Sequence, residues 1–141
     1  IAARQRVGLS EVGPNTYIGC TAVQQASGEL HATECHIFPD DMRGRGDGHN
    51  PMGPPATTMT NGNVTTMTNG SVTSAGGLAG DAVLKIAYKD GAKDIRVTPK
   101  TEITRVVSGD AGMLKPGARV MGGARPAADG SAEVVMMNVM P

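Results

Sequence analysis

An all-β fold follows from three features of this sequence. The stretch AVLKIAYKDGAKDIRV alternates apolar and polar residues around Asp90-Gly91, as two strands joined by a tight turn do. Residues 12–39 align without a gap on residues 114–141, at an offset of 102, so a β unit is repeated. Each copy also carries its own turn signal, Ser27-Gly28 in the first and Asp129-Gly130 in the second, because glycine supplies the positive φ that tight turns require.

The hairpin around Asp90-Gly91 is the strongest of these signals. Leu84, Ile86 and Tyr88 fall on one face, with Ile95 and Val97 opposite them on that same face. TEITRVV then reads as a further strand, and a short helical turn is expected near 108–114. With the strand-like TNGSVTS ahead of it, the region 57–141 holds five to six strands. That number suits a small OB-like or related barrel.

In the repeat, Pro14, Ala22, Ala26, Gly28 and Pro39 match Pro116, Ala124, Ala128, Gly130 and Pro141. Apolar positions correspond as well: Val12 with Leu114, Ile18 with Val120, Ile37 with Val139 and Phe38 with Met140. The entry turns are Val12-Gly13-Pro14-Asn15 and Leu114-Lys115-Pro116-Gly117. There proline presets φ, and asparagine or glycine tolerates the left-handed region. The chain opens on IAARQRVGLSEVGPN, which lies over ITRVVSGDAGMLKPG with Ile1 on Ile103. The counterpart of the 83–97 hairpin therefore falls ahead of residue 1. The expected organisation is two related OB-like units. Residues 1–39 form a first unit lacking its N-terminal strands, 40–56 a Gly/Pro-rich connector, and 57–141 a second, complete unit. Either the chain continues a longer one, or the first unit is completed by a strand from another subunit.

Cys20 and Cys35 are the only cysteines and stand equally far from Ser27-Gly28. They should face each other across adjacent strands, and a four-residue loop would set them in a non-hydrogen-bonded pair, the closer geometry. A disulfide is the favoured reading and implies an oxidising compartment. Two reduced, buried thiols are the alternative, and without a CxxC spacing a metal thiolate pair has little to support it.

PDDMRGRGDGHNPMGPPATT reads as a solvated loop. His36, Asp47 and His49 are weak candidates for a cation site, since their spacing matches no EF-hand loop. TTMTNGNV and TTMTNGSV, residues 57–64 and 65–72, are a tandem duplication. Threonine and valine favour a strand and Asn-Gly a turn, so the copies form a small hairpin, one long edge strand with a bulge, or an extended loop. Thr57, Met59, Val64, Thr65, Met67 and Val72 are expected to serve strand exchange or packing, since an uncharged threonine-rich edge is poorly protected against pairing.

Charge is balanced, 13 basic against 13 acidic, and only Tyr17, Phe38 and Tyr88 are aromatic. Both features argue against nucleic acid as a partner. No apolar run approaches the about 20 residues of a membrane-spanning helix. The nine methionines read as fillers of a core poor in aromatics.

The segment HIFPDDMRGRGDGH, followed in order by MTNG, YKDG and LKPG, resembles a family of small secreted bacterial β-barrel-like proteins of uncharacterised function. The resemblance covers nearly the whole chain. It implies a periplasmic or extracellular bacterial protein, and it supplies no catalytic residues. This chain departs from the family pattern in Cys20, Cys35 and the duplicated threonine-rich segment.

No nucleophile, base and orienter converge in the pattern, and no glycine-rich phosphate loop links a strand to a helix. The expected function is that of a non-catalytic structural or interaction subunit, without a cofactor. It would assemble with other copies of itself or with another secreted protein, in an oligomer or filament held by β-strand complementation. The alternative is a periplasmic module that binds a metal or small ligand.

Overall fold

The computed structural model describes residues 1–68 and 81–141. Among them are ten strands: β1 Ala2–Arg6, β2 Tyr17–Gln24, β3 Leu30–Ile37, β4 Gly48–Pro51, β5 Thr57–Thr68, β6 Ala82–Tyr88, β7 Gly91–Val97, β8 Glu102–Ser108, β9 Val120–Pro126 and β10 Ala132–Val139. The helical pieces are three-residue 3-10 turns at Leu9–Glu11, Asp40–Met42 and Ala111–Met113. The chain is thus all-β, as its sequence predicts.

Residues 6–105 form one compact unit; residues 1–5 and 106–141 form another. The larger unit is a closed ring. β2 pairs antiparallel with β3 and, on its other side, with β5. β5, β6 and β7 follow as an antiparallel meander. β7 closes the ring by running parallel to β3, with Leu30 opposite Ile95 and His31 opposite Arg96. The parallel pairing of β3 continues on β8, where Cys35 faces Ile103 and His36 faces Thr104. Five strands closed in this way make a small barrel with one parallel seam, the OB-like architecture.

The barrel's interior is aliphatic. Ile18, Val64, Leu84, Ile86, Ile95 and Val97 are fully buried, and Leu9 and Val12, from the 3-10 turn ahead of β2, join the same core. The predicted alternation of β6 and β7 holds, with Leu84 opposite Ile95 and Ala82 opposite Val97. Their connection is Lys89 and Asp90, one residue earlier than the Asp90-Gly91 signal suggests. The strands approach so closely at Gly62 that a Cβ there would lie 2.3 Å from the Ala87 carbonyl oxygen.

In the smaller unit β9 and β10 form an antiparallel hairpin, and Ala2 and Ala3 of β1 run parallel to Asn138 and Val139. Asp110 caps the 3-10 turn that leads into the hairpin, its carboxylate accepting from the Gly112 N–H at 2.8 Å.

The repeat expected from sequence recurs bond by bond at the offset of 102. Val12 N–H donates to the Leu9 carbonyl, and Leu114 N–H to that of Ala111. Gln25 N–H donates to the Glu29 carbonyl, and Ala127 N–H to that of Ser131. Phe38 N–H donates to the Tyr17 carbonyl, and Met140 N–H to that of Arg119. Gly28 and Gly130 close the two turns with φ of 90° and 86°. A register shift also recurs, passing over Thr33 in one hairpin and Val135 in the other. The parallel neighbours repeat as well: His36 faces Thr104, and Asn138 faces Ala2. Each hairpin therefore takes as its parallel neighbour the short strand that belongs to the other copy.

The expected domain boundaries differ from what the structure shows. The region 57–141 does not close on its own. Its meander β5–β6–β7 joins the first hairpin, β2–β3, in one barrel. The copy left without a meander is the second, not the first. Both hairpins present the same backbone shape to a meander, so backbone shape alone does not decide which one it covers.

Candidate functional site

The second hairpin is the feature that sets this molecule apart. In the barrel Val12, Ile18 and Ala32 are 3%, 0% and 7% exposed. Their counterparts Leu114 and Val120 are 42% and 49% exposed, and Val134, in the place of Ala32, is 55% exposed. Met121, Val135 and Met136 are exposed as well. A shallow cavity of about 300 Å³ is lined by Ile1, Leu114 and the run Val134–Met137. Covering a valine or leucine is worth roughly 1.5–3 kcal/mol, so a surface of this composition favours association with something that removes it from water.

The backbone edges are open too. β9 ends the strand order and pairs only with β10 among the described residues. β10 has its parallel neighbour only at Asn138 and Val139, so its first half offers unpaired amides where β3 pairs with β7. Exposed edges of this kind accept added strands.

The threonine-rich segment holds a different place from the one its composition suggests. Residues Thr57–Asn63 pair with Val23–Tyr17 of β2, and Asn63–Thr68 pair with β6 across a register shift at Thr65. β4 adds to Thr58–Asn61 on the other side. Thr57, Met59, Val64, Thr65 and Met67 are thus parts of one long strand with a bulge, paired within the barrel, and Val64 is fully buried. Thr57–Asn63 is not an open edge, whereas Thr66–Thr68 pairs only with β6 among the described residues and Met67 is exposed. Val72 lies outside the described residues.

Cys20 and Cys35 face each other across β2 and β3 as a disulfide, with Cα atoms 4.1 Å apart. That separation is the close, non-hydrogen-bonded geometry. The loop contributes to this in an unexpected way. It spans Ala26-Ser27-Gly28, closed by Gln25 N–H on Glu29 O, and on its own would set Cys20 one residue out of line with Cys35. The bulge at Thr33 restores the match. The disulfide fits an oxidising setting, and no helix of the described residues is long and apolar enough to cross a membrane.

The histidine and aspartate candidates are not brought together. His36 is buried, its Nδ1 3.1 Å from a Glu34 carboxylate oxygen and its ring edge-on to Phe38. Asp47 accepts from the Lys89 N–H at 2.7 Å. His49 stacks on Tyr88, with its Nδ1 2.7 Å from the Thr60 hydroxyl. Burial, helped by Lys93, holds the His49 pKa below its usual value. No group of three or more metal-ligating side chains occurs among the described residues. The barrel also carries an open groove of about 590 Å³ beside the β2–β3 turn, lined by charges of both signs, including Glu29, Lys93, Asp94 and Arg96. Arg96 is held there by Glu29 and Asp81, so the groove's main cation is already paired.

Sequence reasoning located the repeat, the disulfide and the β6–β7 hairpin, but not β5 as its neighbour or the exposed face of β9 and β10; TNGSVTS lies almost wholly outside the described residues. The signal that could have found that face was present: only one meander pattern is written for two hairpins. Comparison of the chain with protein-family models, with curated proteins and with solved structures finds no match.

Proposed function

We propose that the protein is a non-catalytic structural subunit of the bacterial periplasm or exterior. It assembles with other copies of itself or with another secreted protein by β-strand complementation at the β9–β10 hairpin. One observation carries the reading: positions that are core in the first hairpin are surface in the second, on the same backbone. The open edge of β9 supplies hydrogen-bonding groups alongside the apolar face, which is what strand addition needs. The Cys20–Cys35 disulfide supports the secreted setting.

Native mass spectrometry and hydrogen exchange on material from its natural source test the reading. The expected result is an assembly heavier than the chain, with slow-exchanging amides in β9 and β10. Val134→Asp should dissociate it while the barrel stays folded. A monomer whose β9 amides exchange freely would overturn the proposal.

A further inference from the structure

We propose that the occupant of the β9–β10 hairpin is a second three-stranded antiparallel meander of the β5–β6–β7 pattern, distinct from the one at 57–97. Its third strand would run parallel to the first half of β10. This rests on the subunit reading above and names the partner of that same surface.

Three relations within the molecule lead to it. The first is geometric. A single added strand can pair with β9 or with β10, but it cannot serve both outer edges of one hairpin. A three-strand antiparallel set can, because its first strand lies antiparallel to β9 and its third then runs parallel to β10. The barrel shows this closure on the equivalent hairpin, where β5 pairs with Tyr17–Val23 and β7 with Leu30 and His31.

The second relation is packing. In the barrel the hairpin face is covered by Val64, Leu84, Ile86, Ile95 and Val97, all fully buried. The uncovered face, built of Val120, Ala124, Val134 and Met137, presents aliphatic positions at the same points of the same backbone. Shifting the β3–β7 register by 102 residues places an Ile95-like residue against Ala132 and an Arg96-like cation against Glu133. The first contact is apolar, and in the second Glu133, already paired with Arg125, would meet a further cation.

The third relation is stoichiometry. The described residues contain two such hairpins and one such meander, and that meander is engaged by β2 and β3. A second folded copy of these described residues therefore has its meander already engaged. Exchange between copies would uncover as many hairpins as it covers. The meander that covers β9 and β10 is therefore not the one at 57–97.

The probe is a polypeptide of residues 57–105 of this chain, added to the 141-residue chain. The expected result is a one-to-one complex by native mass spectrometry. Amide exchange in β9 and at 132–134 should slow by at least tenfold. Val134→Asp should weaken binding by at least tenfold while leaving exchange in the barrel unchanged. A second protein removes dependence on the solubility of the probe. In it residues 57–102 are fused directly ahead of Ile1, which the repeat places in register because Ile1 corresponds to Ile103. This extended chain should show the same protection in β9 and β10 and a Tm above that of the parent. Free exchange of the hairpin in the extended chain overturns the inference. An assembly of copies of the 141-residue chain that buries β9 yet takes up neither form of the meander also overturns it, and leaves the subunit reading standing. A monomer that buries β9 with no probe overturns both.

Discussion

Ile18 and Val120 occupy one position in two copies of the same hairpin, and only Ile18 is covered. Their substitutions should therefore behave differently in the isolated chain. Ile18→Ala removes methyl groups from a closed barrel and should cost about 2–5 kcal/mol. Val120→Ala removes groups already in water and should stay within about 0.5 kcal/mol. Urea denaturation of the purified monomer checks both. Equal losses at the two positions would mean that Val120 is packed in solution.

The Cys20–Cys35 bond links residues already opposed in a hairpin, so it acts chiefly by restricting the unfolded chain. For a sequence separation of 15 residues, the loop-entropy model gives about 3 kcal/mol. The double variant Cys20→Ala, Cys35→Ala should lower the urea midpoint by the corresponding amount and retain the fold. Reduction of the native protein should shift the midpoint in the same direction. A midpoint unchanged in both experiments would show that the unfolded chain is not appreciably restricted by the bond.

The bond also illustrates what a single sequence discloses. Opposition of the cysteines was legible because hairpin pairing is symmetric about a turn, although the match depends on a loop and a compensating bulge at Thr33 that no local signal announces. The strands of 82–97 were legible because alternation around a tight turn is a local property. The partner of the meander was not. Hairpins 17–37 and 119–139 carry the same turns and nearly the same apolar spacing, so the choice between them is a tertiary one. Side chains weigh on it: β2 offers Ile18, Cys20 and Ala22 to the core, whereas β9 offers Val120, Gly122 and Ala124, a smaller set. The threonine-rich strand misled for a related reason. Its composition is that of an exposed edge, and only the pairing of Val64, Asn61 and their neighbours on two sides places it inside the barrel.

Gly62 tests how tightly that strand is held. A methyl group at this position would overlap the backbone of Ala87, which cannot swing aside as a side chain can. Gly62→Ala should destabilise the barrel by roughly 1–3 kcal/mol, the usual cost of overpacking a filled interior. Gly13→Ala is the control, since a Cβ there meets nothing within 4 Å. A thermal melt of each variant distinguishes them, and equal Tm values would show that β5 and β6 are farther apart than described.

His49 gives the barrel a pH dependence whose sign is fixed by its surroundings. Burial, with Lys93 second, lowers its folded-state pKa below 6.5, so the unfolded chain binds its proton more readily than the folded one. The stability this group contributes is fully present above pH 6.5. It declines as the pH falls below that value, and the loss is complete once the pH is below the lowered folded pKa. Glu29, held below its ordinary 4.5 by hydrogen bonds from His31 and then Arg96, acts in a more acidic window: its contribution is lost as the pH falls below 4.5 and through its own lowered value. His49→Gln keeps a polar group near Thr60 and removes the titration. Urea midpoints measured between pH 7.5 and 5 should fall for the parent and flatten for the variant. If the two slopes coincide, His49 is as well hydrated folded as unfolded, and its packing against Tyr88 does not exclude water.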